Sequence, residues 1–441
     1  MKKTATALTL ILTSLMLLVA GTLFANLSSA NFFPDPGPDL PRIYIRNDGS
    51  VEPAMAPIER AGNLYKLTDN IVLYTIEIQR DNIILDGAGY TIQGNASRIK
   101  GYDEGNNGVI VAGRNNVTIT RLNFEQDDTG VRIAGSSNIT VTDNTFTNGI
   151  TTGIATQDSS FVLIESNNFT SIYGPDILCS GTANTIRGNT LTDGAYGIKL
   201  EGASNIISDN KIEILLPIIM DNADSNIIAK NQISGPAPSL THWPDRDQNF
   251  TGNEGISLFI HCSNNIISQN NITGFVNQAI RIVEGSNNTV YGNYFANNQF
   301  AISLGGLGPS VNNTFYGNTF AADSCKIQIN EADGTFWDNG TIGNYWGDYN
   351  GTDSNGDGIG DAPYIVKGYK WDTNIEGFVS FVTGQDNYPL MAPFEVPSAP
   401  TPSPEPQPNS EFPTAVVAAA SGVSATVLGI GLLVYFRKRK R

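Results

Sequence analysis

The sequence predicts an all-β fold, a right-handed parallel β-helix of about ten coils. Three observations predict it. A hydrophobic residue, an Asn three positions later and an apolar residue two further on recur every 21 to 25 residues in most of the chain. The pattern reads Val141/Asn144/Phe146, Ile164/Asn167/Phe169, Ile186/Asn189/Leu191, Ile207/Asn210/Ile212, Ile228/Asn231/Ile233, Ile267/Asn270/Ile272, Val290/Asn293/Phe295 and Phe315/Asn318/Phe320. Each Asn segment follows a short alternating run with two apolar residues one apart, such as Val131/Ile133, Ile198/Leu200, Ile280/Ile282 and Ile302/Leu304. Period-two alternation of β-branched residues between Gly, Asn and Ser reads as very short strands. Finally, the long segments rich in Ala, Leu, Glu and Lys that a helical solenoid needs are missing, and parallel crossovers favour the right hand.

Stacking follows from the energetics. One coil buries about five aliphatic side chains, on the order of 10 kcal/mol. Ordering its backbone costs more, at about 1–2 kcal/mol per residue. Each coil must therefore bury its edge on a neighbour. The Asn column has its own reading, because a side-chain amide both donates and accepts. Stacked at the strand spacing of about 4.8 Å, these residues can bond one another along the rod. They are assigned to structure and not to a ligand site.

Taken in order, residues 1–30 carry two Lys, an apolar run and small residues at Ser28, Ser29 and Ala30, and predict a signal peptide. Residues 31–80 are expected to cap the open edge of the rod. The β-helix spans 81–346, with an insertion at 234–253. A C-terminal cap occupies 347–396. A Pro-rich stalk follows at 397–413, then an uncharged run at 414–436 long enough to span a bilayer, and a basic tail at 437–441. The expected location is the cell membrane, single-pass, with the rod outside. A net charge of -16 excludes a simple nucleic-acid binder.

The stretch from Asp81 to Gly94, with Asp48 to Pro53, Gly343 to Tyr349 and Asp386 to Leu390, resembles the NosD-like right-handed parallel β-helix proteins, in their secreted, membrane-anchored, archaeal-type form. The resemblance covers roughly residues 43–392 and implies carbohydrate-binding and sugar-hydrolase type repeats. It also implies a link to copper, which these residues do not support. Copper sites cluster His, Cys or Met, and His242, His261, Cys179, Cys262 and Cys325 are scattered. No copper is expected. Nor is a disulfide between Cys179 and Cys262, three or four coils apart.

Four features point to ligands or modification. The insertion carries His242, Trp243, Asp245, Arg246 and Asp247, which suit sugar stacking and hydroxyl bonding, and loops on rigid scaffolds often carry function. Tyr291 and Tyr316 fall on the same site of successive coils and predict an aromatic strip. Asp353, Asn355, Asp357, Ile359 (through its carbonyl) and Asp361 match the spacing of a calcium loop, for a structural calcium ion. Sequons at Asn95, Asn116, Asn138, Asn168, Asn249, Asn271, Asn287, Asn312, Asn339 and Asn350 mark possible glycan attachment.

The outward residues between the paired apolar positions are Arg132, Ala155, Leu178, Lys199, Ile219, Ser257, Arg281, Ser303 and Gln328, with bases separated by apolar residues and no acids among them. The expectation is accordingly a membrane-anchored binder of polysaccharide or cell-envelope glycan without catalysis. The alternatives are a lyase, hydrolase or epimerase acting at the insertion, and a metal-trafficking accessory.

Overall fold

The computed structural model describes residues 41–94, 107–147, 150–235 and 253–393. The chain divides into two units, Met1–Val396 and Pro397–Arg441, and the second lies wholly outside the described residues. The first unit winds into a β-solenoid of about 11 turns. A typical coil is Tyr196–Ala203, Ile206–Ser208 and Lys211–Glu213, followed by Leu216–Asp224, Ile227–Ala229 and Gln232–Ser234 in the next. Corresponding strands pair in parallel, Ile198 with Ile218, Ile207 with Ile228 and Ile212 with Ile233. The three stacks are called here the first, second and third sheets.

Inward positions form columns along the rod. Ile177, Ile198, Ile218, Ile256, Ile280, Ile302 and Ile327 are all buried in the first sheet. In the third sheet Phe124, Phe146 and Phe169 stack ring on ring at 4.8 and 4.7 Å. That is the spacing of adjacent strands themselves, about 4.8 Å.

The corner between the second and third sheets is made the same way in nine successive coils. One residue adopts a left-handed conformation: Arg121, Asp143, Ser166, Gly188, Asp209, Lys230, Gln269, Gly292 and Gly317 in turn. In eight of these nine coils, all but that of Arg121, the next residue is the predicted Asn. Each Asn accepts the backbone N–H of its counterpart one coil earlier and also that residue's side-chain N–H. Asn231 Oδ1 accepts both from Asn210 at 3.0 Å, and Asn270 Oδ1 accepts both from Asn231 at 3.0 and 2.9 Å. The side-chain N–H also reaches back to a carbonyl of the coil before, as Asn210 does to Ile186. The ladder ends on a carboxylate. Asp386 accepts from Asn344 N–H at 2.6 Å, from Trp346 Nε1–H at 2.9 Å and from Tyr388 N–H at 3.0 Å. The last rung needs an acceptor and no onward donor, which a carboxylate supplies. Asp386 thereby joins the two C-terminal segments on which the family resemblance rested. A second ladder runs at the other corner through Asn184, Asn205, Asn226, Asn265, Asn288 and Asn313.

Parallel stacking begins earlier than the coil at 81, since Arg42–Ile45 already pairs in parallel with Thr75–Ile78. A hairpin of Ile58–Ala61 and Leu64–Leu67 covers this end. At the other end Tyr364–Asp372 and Gly377–Asp386 form a long hairpin whose first strand continues the first sheet beyond Ile327–Ile329. The expected single-pass membrane location is corrected: among the described residues no helix is long and apolar enough to cross a membrane. The segments behind that expectation, 1–30 and 397–441, lie outside the described residues.

Candidate functional site

The outer face of the first sheet is where the repeat gives way. Its outward row runs in register through Leu178, Lys199, Ile219, Ser257, Arg281, Ser303, Gln328 and Tyr369. From Lys199 to Tyr369 this covers about 29 Å at the strand spacing. Three polar groups and an aromatic wall follow one another along it.

The first polar group forms at a β-bulge. Leu200 faces Met220 and Gly202 faces Ala223, so Glu201 stands opposite both Asp221 and Asn222. Asn222 takes the left-handed conformation that an extra residue needs. Lys199 Nζ lies 3.2 Å from Glu201 Oε1. Burial pushes the Glu201 carboxyl up, Lys199 opposes this, and Asp221 adds to it. Burial raises the Asp221 carboxyl as well, again against Lys199 and also against His261. The absence of acids expected for this face is therefore corrected. The acids come from the next outward position, which the bulge turns toward the lysine.

The second group surrounds Glu254. Its carboxylate accepts from Ser257 Oγ at 2.7 Å and from Arg281 Nη1 at 2.8 Å. The Arg281 guanidinium lies over the Phe259 ring, 5.6 Å from its centre. In the third group Gln328 Oε1 accepts from Gln278 Nε2 at 2.8 Å and from Ser303 Oγ at 3.3 Å. Beyond it Phe300 packs on Tyr369 and Phe378, and Phe378 meets Trp371 edge to face at 5.2 Å. Trp371 and Phe378 are both exposed.

Of the residues singled out in the sequence, His242, Trp243, Asp245, Arg246 and Asp247 lie outside the described residues. The insertion leaves after the third-sheet strand Gln232–Ser234 and returns at Asn253, one residue before Glu254. Tyr291 and Tyr316 do form a strip, stacked at 5.3 Å, but on the second sheet. Each ring spends one face on the other.

The loop around Asp353, Asn355, Asp357, Ile359 and Asp361 is tied internally. Asp353 accepts the N–H groups of Gly356, Asp357 and Gly358, and Asp357 those of Ile359 and the Asn355 side chain. The Ser354 and Thr352 hydroxyls hold the Asp361 carboxyl below its usual range. The sequon residues Asn116, Asn138, Asn168, Asn271, Asn287, Asn312, Asn339 and Asn350 are exposed, in contrast to the buried ladder Asn beside several of them.

Residues 81–233 match the family described as right handed beta helix region, and residues 177–351 match the family of the periplasmic copper-binding protein NosD. Copper finds no fitting donor set among the described residues, where no three His, Cys, Asp or Glu side chains converge. Cys179, Cys262 and Cys325 are separate free thiols, which burial pushes up to about 11, 12 and 12. Among solved structures the chain is similar to a mutant of the periplasmic alginate epimerase AlgG. The identity is 14% over 67% of this chain and 83% of that one, with a TM-score of 0.45. It is also similar to the tailspike protein of E. coli bacteriophage HK620 in complex with pentasaccharide, at 13% identity over 60% of each chain and a TM-score of 0.36. No curated protein matches the sequence.

Proposed function

The chain is a NosD-like right-handed β-helix repeat protein, and from that premise we propose that it binds glycan along the outer face of its first sheet. One observation carries the proposal. Half-buried polar groups on consecutive coils, Lys199 with Glu201, Arg281, and Gln278 with Gln328, follow one another with Glu254, Ser257 and Ser303 buried among them, and lead to exposed aromatic rings at the end. Sugars need such a surface, with polar side chains for hydroxyls and aromatic faces for the C–H side of the ring. In this reading the insertion residues His242, Trp243, Asp245, Arg246 and Asp247 are proposed as further contacts to the ligand, because their side chains suit sugar stacking and hydroxyl bonding. The Tyr291/Tyr316 strip is a separate, lesser surface.

The test is a glycan array probed with the full-length protein, followed by titration of any binder. Trp371→Ala and Gln278→Ala should each weaken binding about tenfold, the size of a lost contact. Unchanged binding in both variants would place the ligand elsewhere.

One observation favours a second reading, cleavage of the bound glycan. Glu201 and Asp221 are carboxyls on adjacent coils whose proton affinity burial raises, as acid–base chemistry requires. Product analysis on any bound polysaccharide separates the two readings, since a pure binder returns it unshortened.

A further inference from the structure

Resting on the glycan reading, we infer that this face selects uncharged glycans, neutral hexose chains, and rejects polyuronates and sulfated chains. The reason lies in how its cations are committed. A site for an acidic polysaccharide presents Arg or Lys with donors turned toward the ligand. On this face both central cations already face carboxylates of the same chain. Arg281 donates to Glu254 at 2.8 Å, and Glu254 is itself held by Ser257. Lys199 stands 3.2 Å from Glu201 with only 13% of its side chain exposed.

The groups around the pairs tilt the balance further. Asp221 is a second carboxylate beside Lys199, so that cation is outnumbered at the bulge. His261 faces Asp221 from the following coil, and Arg132 lies three strands away along the row. The three acids Glu201, Asp221 and Glu254 outnumber Lys199 and Arg281 at the centre of the face, and the whole chain carries -16. A uronate carboxylate entering here would have to displace an existing ion pair and then sit against the remaining acids. A neutral sugar meets none of these penalties. Its hydroxyls donate to the carboxylates and to Gln328, and its ring lies on Trp371 or Phe378. Glu201, Asp221 and Glu254 are therefore specificity residues, acting by keeping Lys199 and Arg281 occupied.

The experiment uses the full-length protein and calorimetric titration with hexasaccharides of two kinds. The neutral set is cello-, manno- and galacto-hexaose, and the acidic set is hexagalacturonate and an alginate hexamer. The wild type should bind a member of the neutral set with an affinity that changes less than about twofold between about 50 and 500 mM salt. It should not bind the acidic set. The double variant Glu201→Gln/Asp221→Asn leaves Lys199 uncompensated, and should gain acidic binding that weakens about tenfold over the same salt range. Glu254→Gln should act in the same direction through Arg281. The substitutions are near-isosteric and lie on an outer face, and an unchanged far-UV spectrum and melting temperature would verify folding.

Salt-sensitive binding of the acidic set by the wild type would overturn the inference and leave the glycan reading standing. Failure of both folded variants to gain any acidic binding would also overturn it, since the carboxylates would then not be what excludes such chains. Absence of binding to either set would overturn the glycan reading together with the inference.

Discussion

Two sides of the same rod obey different rules. On the ladder side, each coil repeats the last: a left-handed residue, a buried Asn, an apolar residue pointing inward. On the outer face of the first sheet no two successive coils present the same side chain. The ladder is bonded only to the protein itself, coil to coil, and any change there is felt by the neighbours above and below. The face is bonded laterally in small separate groups, and its aromatic end is open to solvent. The difference teaches where to look in a solenoid. Periodicity marks what keeps the coils stacked, and a local break in period marks what the stack presents.

The largest effect is expected where the ladder ends. Asp386→Ala removes the acceptor of Asn344, Trp346 and Tyr388 at once, in a buried setting. Each orphaned donor costs about 1–3 kcal/mol, so denaturant unfolding should lose on the order of 4 kcal/mol. Gly343→Ala should act similarly, because a Cβ there would overlap the Asp386 carboxylate. If both variants unfold like the wild type, the ladder does not secure the C-terminal end.

A second effect comes from two acids that break the rule of an apolar interior. Asp127 and Asp176 are buried, and neither Asp176 carboxylate oxygen has a hydrogen-bond partner. Asp176 occupies the column of Gly153 and Gly197, and its carboxyl fills space beside Gly194. Burial raises both carboxyls well above the usual range. Above the unfolded value of about 3.9 the unfolded chain releases the proton and the folded chain keeps it. Stability is therefore fully present below that pH and falls as pH rises toward the folded value. The slope is about 1.4 kcal/mol per pH unit for each group. Asp176→Asn should remove one group's share of the slope and be more stable than wild type at neutral pH. A melting profile with the same slope in both proteins would show that Asp176 is not held neutral.

How much of this was legible in the sequence follows the same division. The inward columns, the principal Asn ladder and the Tyr291/Tyr316 stack could be read because they recur at fixed spacing. The second ladder, Asn184 to Asn313, keeps the same period, each Asn five residues before one of the principal ladder, but it lies outside the apolar–Asn–apolar pattern that was followed and so was passed over. The polar groups of the outer face were missed for a physical reason. Glu201 and Asp221 stand one outward position beyond Lys199 and Ile219, past the apolar pairs that were followed and at the start of the bulge, and only their shared burial beside Lys199 joins them into one group. Glu254 was hidden because it lies just outside its strand, at the return of the insertion. Asp386 was visible only as part of a family-like segment, since its partners Asn344 and Trp346 are about 40 residues away.

Calcium offers a smaller effect. The loop from Asp353 to Asp361 is proposed to bind the ion weakly, because its three carboxylates do not converge and Asp353 and Asp357 are turned to N–H groups of the loop itself, and ligand that binds only the folded state stabilises by about 1.4 kcal/mol at ten times its dissociation constant. Calcium should raise the melting temperature of the wild type, and Asp357→Ala should abolish the rise. An equal rise in the variant would move the ion to another part of the chain. On the ladder side, Lys230 holds a left-handed conformation with φ of 59° where Gly188, Gly292 and Gly317 serve in other coils. Relief of that backbone cost outweighs the added freedom of the unfolded chain, so Lys230→Gly should stabilise by about 0.5–1 kcal/mol. A loss of stability would mean that the Lys side chain contributes more than its backbone costs.

The smallest effect on stability is expected from the residue that separates the two sides most sharply. Gln328 lies between Ile327 and Ile329, both buried core residues, yet its own side chain points to the outer face. There it accepts from Gln278, which is half-buried and reached by water, and at 3.3 Å from the buried Ser303, whose hydroxyl is free to rotate to another acceptor. Gln328→Ala should therefore change unfolding by less than about 0.5 kcal/mol. Glycan affinity should fall about tenfold, because the same oxygen also orients the Gln278 amide toward a ligand. Asn210, equally polar and embedded in the ladder, should behave in the opposite sense: Asn210→Ala strands the N–H groups of Asn189, destabilises by about 2–3 kcal/mol and leaves affinity unchanged in the protein that remains folded. Measured together by denaturation and titration, the two substitutions form a crossed test. A Gln328 variant that unfolds early, or an Asn210 variant that folds well and binds poorly, would erase the division between a side that stacks and a side that recognises.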